Sequence, residues 1–148
     1  MTANGWLTLC HLICEDLARQ EPVSDMIRAV GPNLMIALLL DGPQLAGRWP
    51  GRYASVFADE PGTSVLTVTA LGMVKRSRPP GRDPSRVVAL WRDQKNGTRE
   101  IALDLDASAL LLTLSAEWTT EYTADGRSDH ESASRLVLSS IEQIVVDV

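Results

Sequence analysis

The residue best suited to chemistry is Cys14, in the run Leu12-Ile13-Cys14-Glu15-Asp16-Leu17, where an apolar segment gives way to an acidic one. The apolar residues predict a buried strand, and the polar ones predict a sharp turn into a helix. Such a turn lifts a cysteine sulfur out of the sheet. It also aims backbone N–H groups at the same spot, which favours thiolate over thiol and can hold an oxyanion. Glu15 and Asp16 oppose a thiolate unless a cation offsets them. Cys10, four residues earlier on the same expected strand, reads as a small core residue. Side chains four apart on a strand stand too far apart to bond, so no disulfide is expected between the two.

Other chemistry has less support. His11 and His130 are the only histidines. His11 reads as a strand residue and His130 as a surface residue at a helix start, and neither has Cys or His at ligand spacing, so no metal is expected. Asp104 and Asp106 read as solvated carboxylates at a strand end. Gly72, Gly81 and Gly97 do not form a phosphate-binding loop, and no cofactor is expected. A net charge of −5 argues against a nucleic-acid face. The basic group Lys75-Arg76-Ser77-Arg78 has no interleaved aromatic residue and runs into prolines, as a solvated loop does.

The elements that must hold Cys14 follow from periodicity. With 148 residues, 45% hydrophobic and 22% charged, the chain fits a single soluble domain spanning residues 1–148. Residues 6–13 (WLTLCHLI) are nearly all apolar and predict a central strand covered on both faces. Pro22 precedes Val23, Met26, Ile27 and Val30, an apolar stripe at helical spacing, which Gly31 and Pro32 terminate. Residues 34–40 (LMIALLL) predict a second buried strand, so the three make a βαβ unit with a parallel pair. That run is far too short for a membrane span. No secretory signal is visible, and a reducing, cytoplasmic setting is expected.

Asp41-Gly42-Pro43 marks a turn, and Pro50 suits a first helical position before Tyr53, Val56 and Phe57. Residues 64–71 alternate as a strand, and 76–86 read as loop. Residues 87–91 and 99–105 flank Asn96-Gly97, a strong hairpin signal. From Leu110 to Tyr122 alternate residues are apolar, which predicts a long strand with one face to bury. Ser128-Asp129-His130-Glu131 has the form of a capping box. Leu138, Ile141 and Ile144 then recur at roughly helical spacing, while 145–148 read better as strand. The expected class is α/β (α+β), with parallel pairs first and antiparallel hairpins after.

The run LTLCHLICEDL resembles the nucleophile strand of the carbon–nitrogen hydrolase (nitrilase) superfamily, and is most similar to the Ile-Cys-Glu-Asp form in glutamine-amidase domains of NAD synthetases. The turn at Leu40-Asp41-Gly42-Pro43 resembles the place where family members carry substrate-facing loop residues. Residues 49–59 resemble the family's helix of arginine, alanines and a late acidic residue. Thr67-Val68-Thr69-Ala70-Leu71-Gly72 resembles the strand that follows, and 87–101 the later hairpin. The resemblance is clearest over residues 6–105. It implies a partial nitrilase-like α-β-β-α sandwich, a small-molecule amide or nitrile substrate, Cys14 as nucleophile, and the backbone N–H of Glu15 in the oxyanion hole. It also implies that Asp41 and Gly42 lie on a substrate-facing loop.

The family's reaction also uses a Glu base and an oxyanion Lys, which precede the cysteine in family order. Thirteen residues precede Cys14 here, and none is Glu or Lys. Lys75 and Lys95 lie downstream and do not match. The expectation is thiol-dependent cleavage of a non-peptide C–N bond, of amidase or glutamine-amidase type. It requires completion by an N-terminal segment or partner chain, and the chain is expected to self-associate into a homo-oligomer or to bind that segment. The alternative is a catalytically inactive nitrilase-like binding or assembly module.

Overall fold

The structure, a computed structural model, describes residues 2–3, 7–78, 80–81, 83, 85–120 and 132–146. Strand β1 (Thr2–Ala3) pairs antiparallel with the start of β2 (Leu7–Ile13). A 3-10 turn over Cys14–Ala18 and a π-type turn over Gln20–Ser24 lead into helix α1 (Asp25–Val30). Gly31 ends that helix at φ 58, and its N–H donates to Ile27 O. A left-handed cap of this kind is the stop expected of glycine. Strand β3 (Leu34–Leu39), helix α2 (Trp49–Asp59) and strand β4 (Ser64–Thr69) follow. Strands β2, β3 and β4 run parallel. Helix α3 (Leu71–Arg76) then precedes the antiparallel strands β5 (Val87–Asp93) and β6 (Gly97–Ala102). Strands β7 (Ala109–Thr120) and β8 (Ser132–Ile144) pair antiparallel as a separate two-stranded sheet.

Alternation of side chains puts a core on each face of the six-stranded sheet. On one face Leu12, Met35, Ala37, Leu39, Val65 and Leu90 pack with Leu17, Ile27, Ala54 and Phe57 from the helical segments. On the other, Leu34, Ala89, Trp91 and Ile101 pack with Leu136 of β8, joined by the half-buried Leu110, Leu112 and Leu114 of β7. The fold is therefore α+β in three layers, helices over the mixed sheet over the hairpin. Among the described residues no helix is long and apolar enough to cross a membrane.

Several expectations need correction. Residues 7–13 do not form a central strand covered on both faces, because among the described residues β2 has only the two of β1 on its outer side, and of β2 itself only Leu12 is buried. The helical stripe after Pro22 is only partly buried: Ile27 packs inward, whereas Met26 and Val30 are exposed. Strand β4 stops at Thr69, and Leu71-Gly72 begin α3, a helix absent from the expected elements, which gave Leu71 to the strand and Arg76 to the loop. Its apolar pair, Leu71 and Val74, is too short a signal to distinguish from a strand end.

The spacing of Leu138 and Ile141 belongs to a strand and not a helix. Thr113 pairs with Ser140 and Leu114 with Leu138, so Ser139 is an extra residue in β8. This bulge turns a step of two into a step of three and keeps both side chains on the inner face. Val145 and Val146 lie beyond β8. The capping-box pattern at residues 128–131 and the end of the apolar alternation at Tyr122 lie outside the described residues.

Side-chain bonds tie the hairpin to the sheet, among them that of Gln143 Nε2 in β8 to Ala102 O in β6 at 2.9 Å. Ser64 Oγ donates to Leu136 O at 2.5 Å. Asn33 accepts from Thr8 N–H at 2.8 Å and donates to Ser134 Oγ at 2.7 Å, so one amide joins β2 to β8. Replacing Asn33 with alanine removes these bonds, and such losses at partly buried polar groups cost about 1–3 kcal/mol. Asn33→Ala is expected to lower unfolding stability by that amount in urea denaturation. A change within about 0.5 kcal/mol, the usual scatter of surface substitutions, would show that docking does not depend on this link.

Candidate functional site

The C-terminal ends of the parallel strands β2, β3 and β4 lie side by side, because Ile13 pairs with Leu38 and Leu38 with Val68. Cys14, the loop from Asp41 and helix α3 all start from this end of the sheet. It is the usual place for a site in a parallel sheet, since the connecting loops gather there.

Cys14 is the one non-glycine residue with positive φ among the described residues, at φ 50. Ile13 before it is still extended, at φ −119 and ψ 118, so the backbone reverses its handedness within one residue. That is the sharp exit from a strand that the sequence predicted. A left-handed L-residue costs about 1–2 kcal/mol, and such strain concentrates at functional sites. The Cys14 side chain is half-buried, and the exposed Glu15 follows it. Ile13, the residue that opens the 3-10 turn, supplies no side-chain cap to its first N–H groups. Asp16 leans toward Arg19, with 3.9 Å between them.

Cys10 is half-buried, less enclosed than a core residue, and packs against the helix-side core. Burial pushes its thiol pKa up. Both cysteines are free thiols. His11 is exposed on the hairpin side of the sheet.

The loop after β3 is held by Asp41. Its Oδ1 accepts from Gly42 N–H at 2.7 Å and from Arg48 Nη2 at 2.9 Å, and its carbonyl accepts from Thr69 Oγ1 at 2.7 Å. Arg48 also donates to Pro43 O at 3.0 Å. Gly42 is buried, and a Cβ there would stand 2.8 Å from Ser77 Cβ and 2.5 Å from Arg48 Nη1. Asp41 and Gly42 thus sit at the same end of the sheet as Cys14, where their contacts shape the loop. Asp41 Oδ2 and Gln44 Oε1 are buried without a hydrogen-bond partner.

Two clefts open at this end that sequence reading missed. One, of about 460 Å³, borders the loop and mixes charged with apolar side chains, with Arg48, Arg78 and Asp83 beside Leu45 and Val74 in its wall. The other, of about 380 Å³, is apolar and lies between β4 and the start of β7, walled by Leu66, Val68, Leu71, Leu110 and Leu112. Neither leaves a local signal, because the residues of each come from segments far apart in the chain.

Of the two lysines, Lys75 is exposed on α3, beyond the end of β4. Lys95 lies in the β5–β6 turn, at the opposite end of the sheet from Cys14, since Val65 pairs with Arg92. Its ammonium is bound to Glu117 at 2.5 Å. Among the described residues no group of three or more His, Cys, Asp or Glu could hold a metal ion. No family model, curated protein or solved structure matches the chain.

The backbone at Cys14 can be probed through stability. Glycine adopts positive φ without the Cβ clash, whereas alanine retains it. Cys14→Gly is expected to be more stable than Cys14→Ala by about 1 kcal/mol in chemical denaturation. Equal stability of the two variants would mean that Cys14 is not held in a strained conformation.

Proposed function

We propose that this chain carries the nucleophile half of a thiol-dependent carbon–nitrogen hydrolase of the nitrilase type, acting on a small-molecule amide or nitrile. The observation that carries the reading is the left-handed backbone of Cys14 at the C-terminal end of a parallel strand. In an amide reaction the Cys14 thiolate attacks the carbonyl carbon, and the oxyanion formed is held in part by the backbone N–H of Glu15. The C–N bond then breaks, and the amine leaves with a proton, giving an acyl thioester on Cys14. Water attacks the thioester carbonyl, the C–S bond breaks, and the acid departs as the thiol is restored. A Glu base and an oxyanion Lys come from a further segment or from a partner chain. That segment supplies the remaining helical layer of an α-β-β-α sandwich, to which this chain contributes helices, sheet and hairpin.

The second reading is an inactive nitrilase-like module for binding or assembly. It is favoured by Lys95, whose ammonium is committed to Glu117 at the far end of the sheet. Activity separates the two readings. Loss of one oxyanion donor alone costs about 100-fold or more in rate, so the isolated chain is expected to hydrolyse neither glutamine nor simple amides. Co-expression with an in-frame upstream or neighbouring segment bearing Glu and Lys is expected to give turnover that Cys14→Ala abolishes. Turnover by the chain alone, lost in Cys14→Ala, would reveal a base within it. An inactive completed protein would favour the module.

Completion also has a physical signature. Ile13, Leu38 and Leu40 are exposed apolar side chains at the ends of β2 and β3, and β2 has little cover on its outer edge. Such surfaces promote association. In size-exclusion chromatography with light scattering the chain alone is expected to run as a homo-oligomer. A monodisperse monomer that binds no hydrophobic dye would show that the exposed surface needs no cover.

A further inference from the structure

The outer edge of β2 is open along part of its length. β1 pairs with Leu7 and Thr8, and among the described residues no strand lies beside residues 10–13 on that side. Thr8 N–H donates inward at 2.8 Å, to Asn33 Oδ1 just before β3. Backbone groups alternate in direction along a strand, so the N–H and C=O of Cys10 and Leu12 turn to β3, and those of His11 and Ile13 turn to the open side. His11 O accepts from the Cys10 thiol at 3.9 Å, a weak bond. Open edges are usually guarded by a lysine or a proline that blocks strand addition. Residues 7–13 hold neither, and His11 is their one basic side chain. A groove of about 370 Å³ runs along this edge between β2 and α1, and the exposed Met26 and Val30 stand in its wall. The left-handed turn at Cys14 ends the strand directly after Ile13.

We propose that β2 pairs antiparallel with β2 of a second copy, about a two-fold axis at Leu12, so that two sheets join into one. The outward groups set this register. Pairing His11 and Ile13 with their own copies puts His11 opposite the partner's Ile13, and each such pair exchanges both N–H···O bonds. Centring on His11 instead would set Ile13 against the partner's Leu9, beside the end of β1. A two-fold axis normal to the sheet keeps the helices of both copies on one face, so Met26 and Val30 face the same apolar stripe of the partner. No lysine, arginine, aspartate or glutamate lines the groove, so the pairing brings no like charges together there. An apolar stripe that matches itself, beside an unguarded edge that matches itself, selects a second copy as the occupant. Each Cys14 turn then stands beside the partner's β2 at Cys10, and the second copy borders the candidate nucleophile. The joint rests on the self-association expected of the chain, gives it a geometry, and does not depend on the role of Cys14.

Cross-linking of the full chain tests the register. In a Cys10→Ala, Cys14→Gly background, His11→Cys and Ile13→Cys are made separately, both at exposed positions. Paired positions stand about 5.5 Å apart at Cα, within disulfide reach, whereas position 11 and its own copy stand diagonally at about 7–8 Å, beyond it. Diamide is the oxidant: two thiols join as a disulfide, and their two hydrogens pass to the N=N bond of the reagent. An equimolar mixture of the two variants is expected to give a covalent dimer with one copy of each, identified by mass spectrometry. Neither variant alone is expected to give one. In light scattering the unmodified chain is expected at the dimer mass, and Ile13→Lys, which places a guarding charge on the edge, at the monomer mass. Cross-linking of either variant alone as readily as of the mixture, an Ile13→Lys chain that stays dimeric, or self-association without cross-linking in the mixture would overturn this joint while leaving self-association in place. A monomeric unmodified chain would overturn both. The nucleophile reading is decided apart from these results, by the activity measurements.

Discussion

The parallel register of β2, β3 and β4 fixes where each of these strands ends, and most of the molecule's organisation depends on it. Ile13, Leu38 and Val68 lie in one cross-strand row, so Cys14, the Asp41 loop and α3 emerge together. A slip of one residue in any of the three would turn its inward side chains to the other face and separate these exits. Burial opposes such a slip most strongly at β3, where Met35 and Ala37 are fully enclosed on the helix side and Leu34 is buried under the hairpin.

The two faces of this sheet are covered unequally. Helical segments follow the parallel strands closely and enclose one face. The other face depends on β7 and β8, which dock through Ser64, Asn33, Lys95 and Gln143 and leave the ends of β2 and β3 bare. The apolar row beside Cys14 is a consequence of this partial cover. The cleft at the Asp41 loop, whose wall includes charged side chains that the cleft beneath β7 does not have, lies near the same strand ends.

Within the loop, close packing and ion pairing leave little freedom. Gly42 has no room for a Cβ beside Ser77, and Arg48 closes the loop by binding both Asp41 and Pro43 O. These contacts give Asp41 a supporting role that its position in a turn could not indicate. The partner that binds it, Arg48, is seven residues away through irregular chain, where no periodicity connects the two.

The sequence by itself determined the order and type of most elements and the position of the turn at Cys14. Those features arise from local physics: apolar runs, alternation, glycine and proline stops, and the Asn96-Gly97 turn all act within a few residues. It also identified one free cysteine at a strand exit, although it could not state the backbone strain there. Tertiary structure decided the rest. It made β2 a thinly covered strand, gave residues 71–76 to a helix, and let a bulge at Ser139 imitate helical spacing. It also created both clefts and sent Lys95 to the far end of the sheet. Each of these depends on contacts between segments distant in the chain, and pairing at that range leaves no periodic mark in either segment alone.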